Sequence, residues 1–170
     1  MNVAEAIRLK RAIRQFSLQP LPGEAVAAIL NAGRRAQSSK NSQPWHFVVV
    51  RERATLEALS KLGTYASHLA GAALAVAIVT PDPAQRWSIM FDAGQSAGYM
   101  QLAAWELGIG SCLATIYETG PAKALLGLPD GLHLHVAISF GYPASEPARP
   151  AGPKRSGRRP MDDVVHWEKW

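Results

Sequence analysis

A single cysteine, Cys112, in 170 residues excludes an intramolecular disulfide and any cysteine-based metal cluster. Its apolar neighbours Leu113 and Ala114 favour a buried structural thiol. Also missing is any apolar run approaching the roughly 20 residues that span a bilayer. Near the start, Asn2, Glu5, Arg8, Lys10, Arg11 and Arg14 interrupt every apolar stretch, unlike a secretory leader. The expectation is a soluble, cytoplasmic protein. There is no glycine-rich phosphate loop, no G-x-G-x-x-G after a strand, no H-E-x-x-H and no G-x-S-x-G, so kinase and hydrolase readings fall away. Internal repeats and low-complexity tracts are absent as well.

What is present suits one globular domain: 48% of the residues are apolar, enough for one continuous core and too few in total for two comfortable domains. The formal charge is +5 and the pI is near 9.7. A basic balance alone does not separate nucleic acid from a phosphorylated cofactor, but its distribution is informative. Arg8, Lys10, Arg11 and Arg14 cluster near the start, and Lys154, Arg155, Arg158 and Arg159 near the end. Two distant clusters can converge on one phosphate. Aromatic residues are scarcely interleaved with either cluster, which disfavours single-stranded nucleic acid as the partner.

Along the chain, Asn2 followed three residues later by Glu5 is a candidate capping box, opening a helix whose stripe is Val3, Ala6 and Ile7 and which runs to Lys10 or beyond. Pro20 and Pro22 break the chain. A second helix is expected over 24–35, with Val26, Ile29 and Leu30 inward, before a polar turn at 38–42. Residues 47–50 predict a buried strand, and Leu56, Leu59 and Leu62 a short helix stopping at Gly63. Residues 72–79 predict a second buried strand. From 85 to 107 a proline-free stretch carries apolar residues nearly all round a helix, which belongs at the molecular centre or in a subunit interface. Gly94, Ala97 and Gly98 mark an expected close helix contact there. A third strand is expected over 110–116, then a short helix capped by Thr119 with Pro121 in its first turn. Alternation over 132–140 predicts a fourth strand burying one face preferentially. The Pro-, Ala-, Gly- and Arg-rich segment that follows cannot build a core. Yet the chain ends in Trp167 and Trp170, so the tail is expected to dock, on its own subunit or on a partner.

Four segments carry the chemistry. Lys10-Arg11-Ala12-Ile13-Arg14 is the first, and Ser38-Ser39-Lys40-Asn41-Ser42-Gln43-Pro44-Trp45-His46-Phe47 the second. The third is Asp92-Ala93-Gly94-Gln95-Ser96-Ala97, running on to Leu107-Gly108-Ile109-Gly110-Ser111. The fourth is Gly157-Arg158-Arg159-Pro160 followed by Val164-Val165-His166-Trp167. In this order and at these separations they cover essentially the whole chain and resemble the nitroreductase family. The resemblance implies an α+β fold, a sandwich with a central, mostly antiparallel sheet flanked by helices. It implies a single domain over 1–170, its tail from about 144 to 170 exchanged between the subunits of a homodimer. It also implies FMN as cofactor and ping-pong hydride transfer from NADH or NADPH to small electron-poor acceptors such as nitroaromatics or quinones.

By that resemblance Lys10, Arg11 and the backbone at Ala12 contact the FMN phosphate or ribityl chain, Arg158 reaches the phosphate, and Arg14 stabilises the reduced ring. Arg35, Ser38, Ser39 and Asn41 approach the flavin from the partner subunit, and Gln43 is among the cofactor-binding residues. A backbone N–H from Leu113, Ala114 or Thr115, in a loop after the third strand, meets the flavin ring, and Tyr65, His68, Trp87 and Met90 lie in segments that cover it. The family's first signature arginine is Lys10, its serine is Ala12, and Ser156 stands where many relatives have lysine. No catalytic side chain is implied, because the chemistry belongs to the cofactor.

Plainer structural roles compete for the same residues. The N-terminal cations alone would be a solvated helix face. Trp45 is mostly structural, and core packing accounts for Trp87 and Met90 as well as a substrate pocket does. His133 and His135 share a strand face without a third ligand, so no metal is assigned. Rival functions are a dehalogenase or oxidase on the same fold, disfavoured by the short stretch 80–87, and a non-enzymatic flavin-binding redox module.

Overall fold

A computed structural model describes residues 2–145 and 158–170, and the expectations resting on Lys154, Arg155, Ser156 and Gly157 lie outside them. Four strands, β1 (His46–Val50), β2 (Leu74–Pro81), β3 (Gly110–Thr115) and β4 (Leu132–Gly141), form one sheet in the order β1-β2-β4-β3, antiparallel throughout. The helices are α1 (Val3–Leu9), α2 (Gly23–Arg34), α3 (Arg53–Ser60), α4 (Ser88–Glu106) and α5 (Thr119–Leu126). This is the α+β sandwich expected.

Strand β2 explains the layering. Its residues are buried one after another because both faces of the sheet are covered. Leu74, Val76 and Ile78 point to a core shared with Val26 and Ile29 of α2 and Met100 and Ala104 of α4. Ala75, Ala77 and Val79 point to a second core with Leu56 and Leu59 of α3 and Ala122 of α5. Alanines on that second face let the short helices sit close.

Local signals hold in most places. The Asn2 side chain accepts the N–H of Glu5 at 2.8 Å, capping α1. Gly127 closes α5 in the left-handed region at φ 61°. Four expectations need correction. Strand β1 is not buried like β2: it lies at the sheet edge with one neighbour, and Val49 is exposed. Thr119 makes no capping bond, since α5 starts at Thr119 and Glu118 precedes it. Strand β4 buries both faces over its C-terminal half, because it lies between β2 and β3 under both helix layers. Among the described residues outside their own helix turns, nothing comes within 4 Å of a Cβ built at Gly94 or Gly98. The close contact between α2 and α4 is made instead by Gly33, which faces Met100 and Ser96, and its carbonyl accepts the Ser96 hydroxyl at 3.0 Å. Gly94 and Gly98 line an open cavity, described below.

At the start of the tail the Ala144 N–H donates to the Gln15 carbonyl of its own chain at 3.0 Å, while the described residues 158–170 lie largely exposed. Its Met161–Asp163 turn is held from within, and Trp167 and Trp170 are fully or almost fully exposed. Val3 and Ile7 of α1 and Phe91 of α4 are exposed too, although the stripe of α1 reads as an inner face.

Candidate functional site

The N-terminal signature is pinned along the start of β3. Ala12 bridges Ser111 in parallel, the Ile13 N–H donates to the Ser111 carbonyl at 3.0 Å, and Phe16 bridges Pro143. Ile13 and Phe16 lie flat on Gly110 and Gly141, where any side chain would collide with them. The arrangement fixes Lys10, Arg11 and Arg14 around one end of the outer strand. Among the described residues no carboxylate pairs with any of the three. The Arg11 guanidinium bonds only to the carbonyls of Arg8 and Lys10. Burial holds Lys10 below the usual lysine range, with Cys112 pulling the other way. Burial pushes the Cys112 thiol up, while Arg14 and Lys10 pull it back. A half-buried cation without a counter-charge is the setting in which a phosphate offsets a desolvation cost.

Strand β3 itself narrows the backbone donors. Residues 113–115 lie inside the strand rather than in a loop after it, so that expectation is corrected. The N–H of Ile116 bonds to the His135 carbonyl, and the two-residue alternation of an antiparallel ladder then turns Ala114 and Cys112 towards β4. Ser111, Leu113 and Thr115 face outward. The Ser111 carbonyl is taken by Ile13, and the Thr115 carbonyl is covered by the turn at Gly63. Leu113 is itself exposed, its N–H has no partner among the described residues, and its carbonyl accepts the Cys112 thiol at 3.5 Å.

Beside Leu113 stands His68, buried where Tyr65 is exposed. Its Nδ1 lies 2.8 Å from the Ser139 hydroxyl, which donates to the Cys112 carbonyl at 3.2 Å. Its Nε2 has no partner. Burial holds the imidazole below the ordinary histidine range; the Leu113 backbone works against this and the Arg14 guanidinium adds to it. The unfolded chain thus takes up a proton near pH 6.5 while the folded chain still resists. Stability present above that pH is lost as pH falls towards the folded value. Urea midpoints at about pH 7.5 and about pH 5.5 should therefore differ more for the wild type than for His68→Gln. Equal differences would mean that the imidazole charges freely in the fold.

The Ser-rich turn lies elsewhere. Its 3-10 turn Ser39–Asn41 has Lys40 and Asn41 at φ 54° and 52°, followed by Gln43 at 45°, left-handed conformations uncommon outside glycine. Two anchors hold it: the Ser39 N–H donates to both carboxylate oxygens of buried Asp92 at 3.1 and 3.2 Å, and the Gln43 N–H donates to the Ser38 hydroxyl at 2.9 Å. Arg35 is exposed just before it. Gln101, nine residues beyond Asp92 on α4, bonds to Ser111 of β3 at 3.4 Å. At 1.5 Å per residue, the two groups of residues sit about 14 Å apart along one helix. The fold brings Lys10, Arg11, Ala12, Arg14, Leu113 and His68 together and keeps Ser38, Ser39, Asn41 and Gln43 apart from them. Arg158 is exposed in the tail.

Between these groups, α4 and the sheet enclose a cavity of about 180 Å³, lined by Met90, Gly94, Gly98, Gln101 and Leu113 among others. Met90 borders it; Trp87 is exposed and meets Phe91 edge-on at 6.2 Å. His68 borders a different hollow with Arg14, Gln15 and Ser67. His133 and His135 stack at 6.2 Å, and among the described residues no group of three or more His, Cys, Asp or Glu could hold a metal. No helix of the described residues is long and apolar enough to cross a membrane. Sequence reasoning missed Asp92 as an anchor and Ser139 altogether. The signal for Asp92 was a lone acid in the middle of an apolar helix; Ser139, 71 residues from His68, carried none.

Comparison with known proteins agrees with this architecture. The nitroreductase family model matches residues 7–67 and 61–142. A protein of Archaeoglobus fulgidus whose name carries "NADH dehydrogenase/NAD(P)H nitroreductase" is 31% identical, covering 96% of both chains. The NADH dehydrogenase of Thermus thermophilus is 28% identical over 98% of this chain and 96% of its own. The solved structure of an FMN-dependent nitroreductase from Clostridium difficile superposes with a TM-score of 0.86 at 27% identity, covering 99% of this chain and 100% of its own. With its sandwich fold and most of its length matched, the chain belongs to the nitroreductase family and is an oxidoreductase of that family.

Proposed function

We infer that this chain is a cytoplasmic, FMN-dependent homodimeric enzyme that takes reducing equivalents from NADH or NADPH and delivers them to small electron-poor acceptors such as nitroaromatics or quinones. The observation that carries this is the outer edge of β3. There the N–H of Leu113, without a partner among the described residues, stands near Lys10, Arg11 and Arg14, three cations with no carboxylate partner among the described residues. The names of the relatives, which include NAD(P)H and FMN, support the same reading.

The residues present suit FMN. Lys10 and Arg11, with Arg158 from the tail, would hold its phosphate, and the backbone at Ala12 and Leu113 would meet its ribityl chain and ring. When bound, FMN supplies hydride-accepting and electron-donating chemistry that no side chain here possesses. The protein orients and shields. Arg14 sets positive potential where the reduced ring gathers negative charge, and Leu113 fixes the edge of the ring. The apolar cavity under Met90, Gly94 and Gly98 admits flat guests in turn, and the short link between β2 and α4 leaves it without a dedicated lid.

Two observations favour the dimer. The Ser39–Asn41 turn lies about 14 Å along α4 from the β3 edge of its own chain, which supports a second copy bringing the turn to that edge. Val3, Ile7, Phe91, Trp167 and Trp170 also leave more exposed apolar surface than a monomer comfortably keeps. The whole chain is then one domain, its segment from about 144 onward reaching over the partner.

The test is the visible spectrum of the protein after incubation with FMN and desalting, followed by anaerobic addition of NADH or NADPH. Retained flavin peaks that bleach with a nicotinamide support the enzyme. Retention without bleaching points to a non-enzymatic flavin module, and failure to retain FMN overturns the reading.

A further inference from the structure

The cavity between α4 and the sheet is a slot with few polar groups. It follows α4 from Met90 to Gln101, about 16 Å at 1.5 Å per residue, with Leu113 on its β3 side. Thr80 lines it, but its hydroxyl is taken by the Pro81 carbonyl at 2.9 Å. At the far end stands His135, whose neighbour Val136 pairs with Thr115, about 13 Å along β3 from Ser111. Gln101 is the polar group of the near end. It is only 7% exposed, and its amide is joined to the Ser111 hydroxyl at 3.4 Å. Its Oε1 has no partner among the described residues yet is not sealed off, so the outer face of the amide opens on the cavity. The Ser111 hydroxyl is buried, bonds to no other side chain among the described residues, and can either accept or donate. It holds the amide in one orientation by accepting from Nε2, which leaves Oε1 to the cavity, and in the other by donating to Oε1, which leaves Nε2 there. This end of the slot is therefore an acceptor or a donor as its guest requires.

Such an end suits a group that changes from hydrogen-bond acceptor to donor where it lies. A quinone is of this kind: it takes up a hydride from the reduced flavin and a proton from water at the cavity mouth, and its two carbonyls become hydroxyls. A nitro group, by contrast, offers only acceptor oxygens. We propose that Gln101 determines the acceptor, selecting flat apolar quinones by one ring oxygen: the amide NH2 donates to the carbonyl of the oxidised guest, and the amide oxygen accepts from the hydroxyl of the reduced one. Ser111 acts through Gln101, as the positioning residue that holds either orientation. A guest with no oxygen there leaves the amide unpaired in an apolar slot, which is how a buried polar group rejects an analogue that lacks its partner. This rests on the oxidoreductase reading above and narrows it from electron-poor acceptors in general to quinones.

The probes are 1,4-naphthoquinone and naphthalene, the same shape without oxygens. Their binding to the oxidised, FMN-loaded protein is read from the change in flavin absorbance, so no turnover is needed. Relative to naphthalene, the affinity for naphthoquinone should fall about tenfold in Gln101→Leu, a change of similar size that removes the amide, and less in Ser111→Ala. Nitrogen-15 NMR of the flavin-free wild type gives a second readout that survives a folding defect in either variant. The side-chain NH2 signals of Gln101 should move with naphthoquinone and stay in place with naphthalene, and Ser111→Ala should weaken that response. An unchanged affinity ratio in Gln101→Leu, or an amide silent to naphthoquinone, overturns the assignment while leaving FMN binding intact. Loss of the preference in His135→Phe instead would put the contact at the other end of the slot and overturn it as well. Failure to retain FMN, with the amide still responding, overturns the FMN reading and leaves the Gln101 contact standing.

Discussion

Replacing Gly63 by alanine should cost about 3 kcal/mol of stability, a large change for a single methyl group. A Cβ at Gly63 would lie 2.1 Å from the Thr115 carbonyl oxygen and 3.2 Å from its carbon, both backbone atoms in a sheet strand that cannot swing aside. Relief must come from the turn, yet the turn is tied to the same strand exit. The Leu62 carbonyl accepts the N–H groups of Tyr117 and Glu118 at 2.9 and 3.1 Å. Overpacking of this kind costs about 1–3 kcal/mol, and each bond lost with it adds about 1. In a chain of this size that is a fall in Tm of roughly 6–12 °C. Gly71→Ala is the control, since nothing lies within 4 Å of the added carbon, and it should stay within about 0.5 kcal/mol. Calorimetry of the two variants decides: a Gly63→Ala melt indistinguishable from the control would mean the two segments do not approach so closely. Because the turn covers the Thr115 position, its displacement should also loosen the edge on which Leu113 stands.

The second large effect is expected at Asp92. Its carboxylate is buried and uses both oxygens on the Ser39 N–H. Bonds to a charged acceptor contribute about 1.5–3 kcal/mol, and here the bond holds a turn whose Lys40, Asn41 and Gln43 all occupy left-handed backbone. Without it the turn relaxes. Asp92→Ala should therefore weaken FMN binding by roughly 10- to 100-fold, although Asp92 itself need not touch the flavin. Asp92→Asn keeps one acceptor oxygen and should lose much less. A titration in which alanine and asparagine behave alike would show that the carboxylate fills space and does not anchor the turn.

The elements were largely legible because their signals are local. Asn2 capping Glu5, the all-round apolar helix through 85–107 and the apolar run of β2 each depend on residues within a turn or two. What was not legible depends on distant partners. Phe47-Val48-Val49-Val50 looks the same whether a strand lies at the edge or in the centre, and only pairing decides. Gly94 and Gly98 promise a close approach without saying to what, and within the chain the approach is made at Gly33. The signature segments named stretches that the fold places at the β3 edge and at the Ser-rich turn. Choosing Leu113 over Ala114 needs the register with β4, and reading His68 needs Ser139, which reaches it only after the sheet has formed.

One rod, α4, carries the anchor of the Ser-rich turn at Asp92 and the tie to β3 at Gln101. In a symmetric pair each flavin would then be clasped by the turn of one copy and the β3 edge of the other, so the two kinds of damage are separable by inheritance. A chain crippled at Asp92 and a chain crippled at Arg14 would each be inactive alone. Coexpressed, they assemble mixed pairs in which one pocket inherits both faults and the other inherits neither. Two dead alleles should thus complement, and the recovered flavin should amount to at most one per mixed pair.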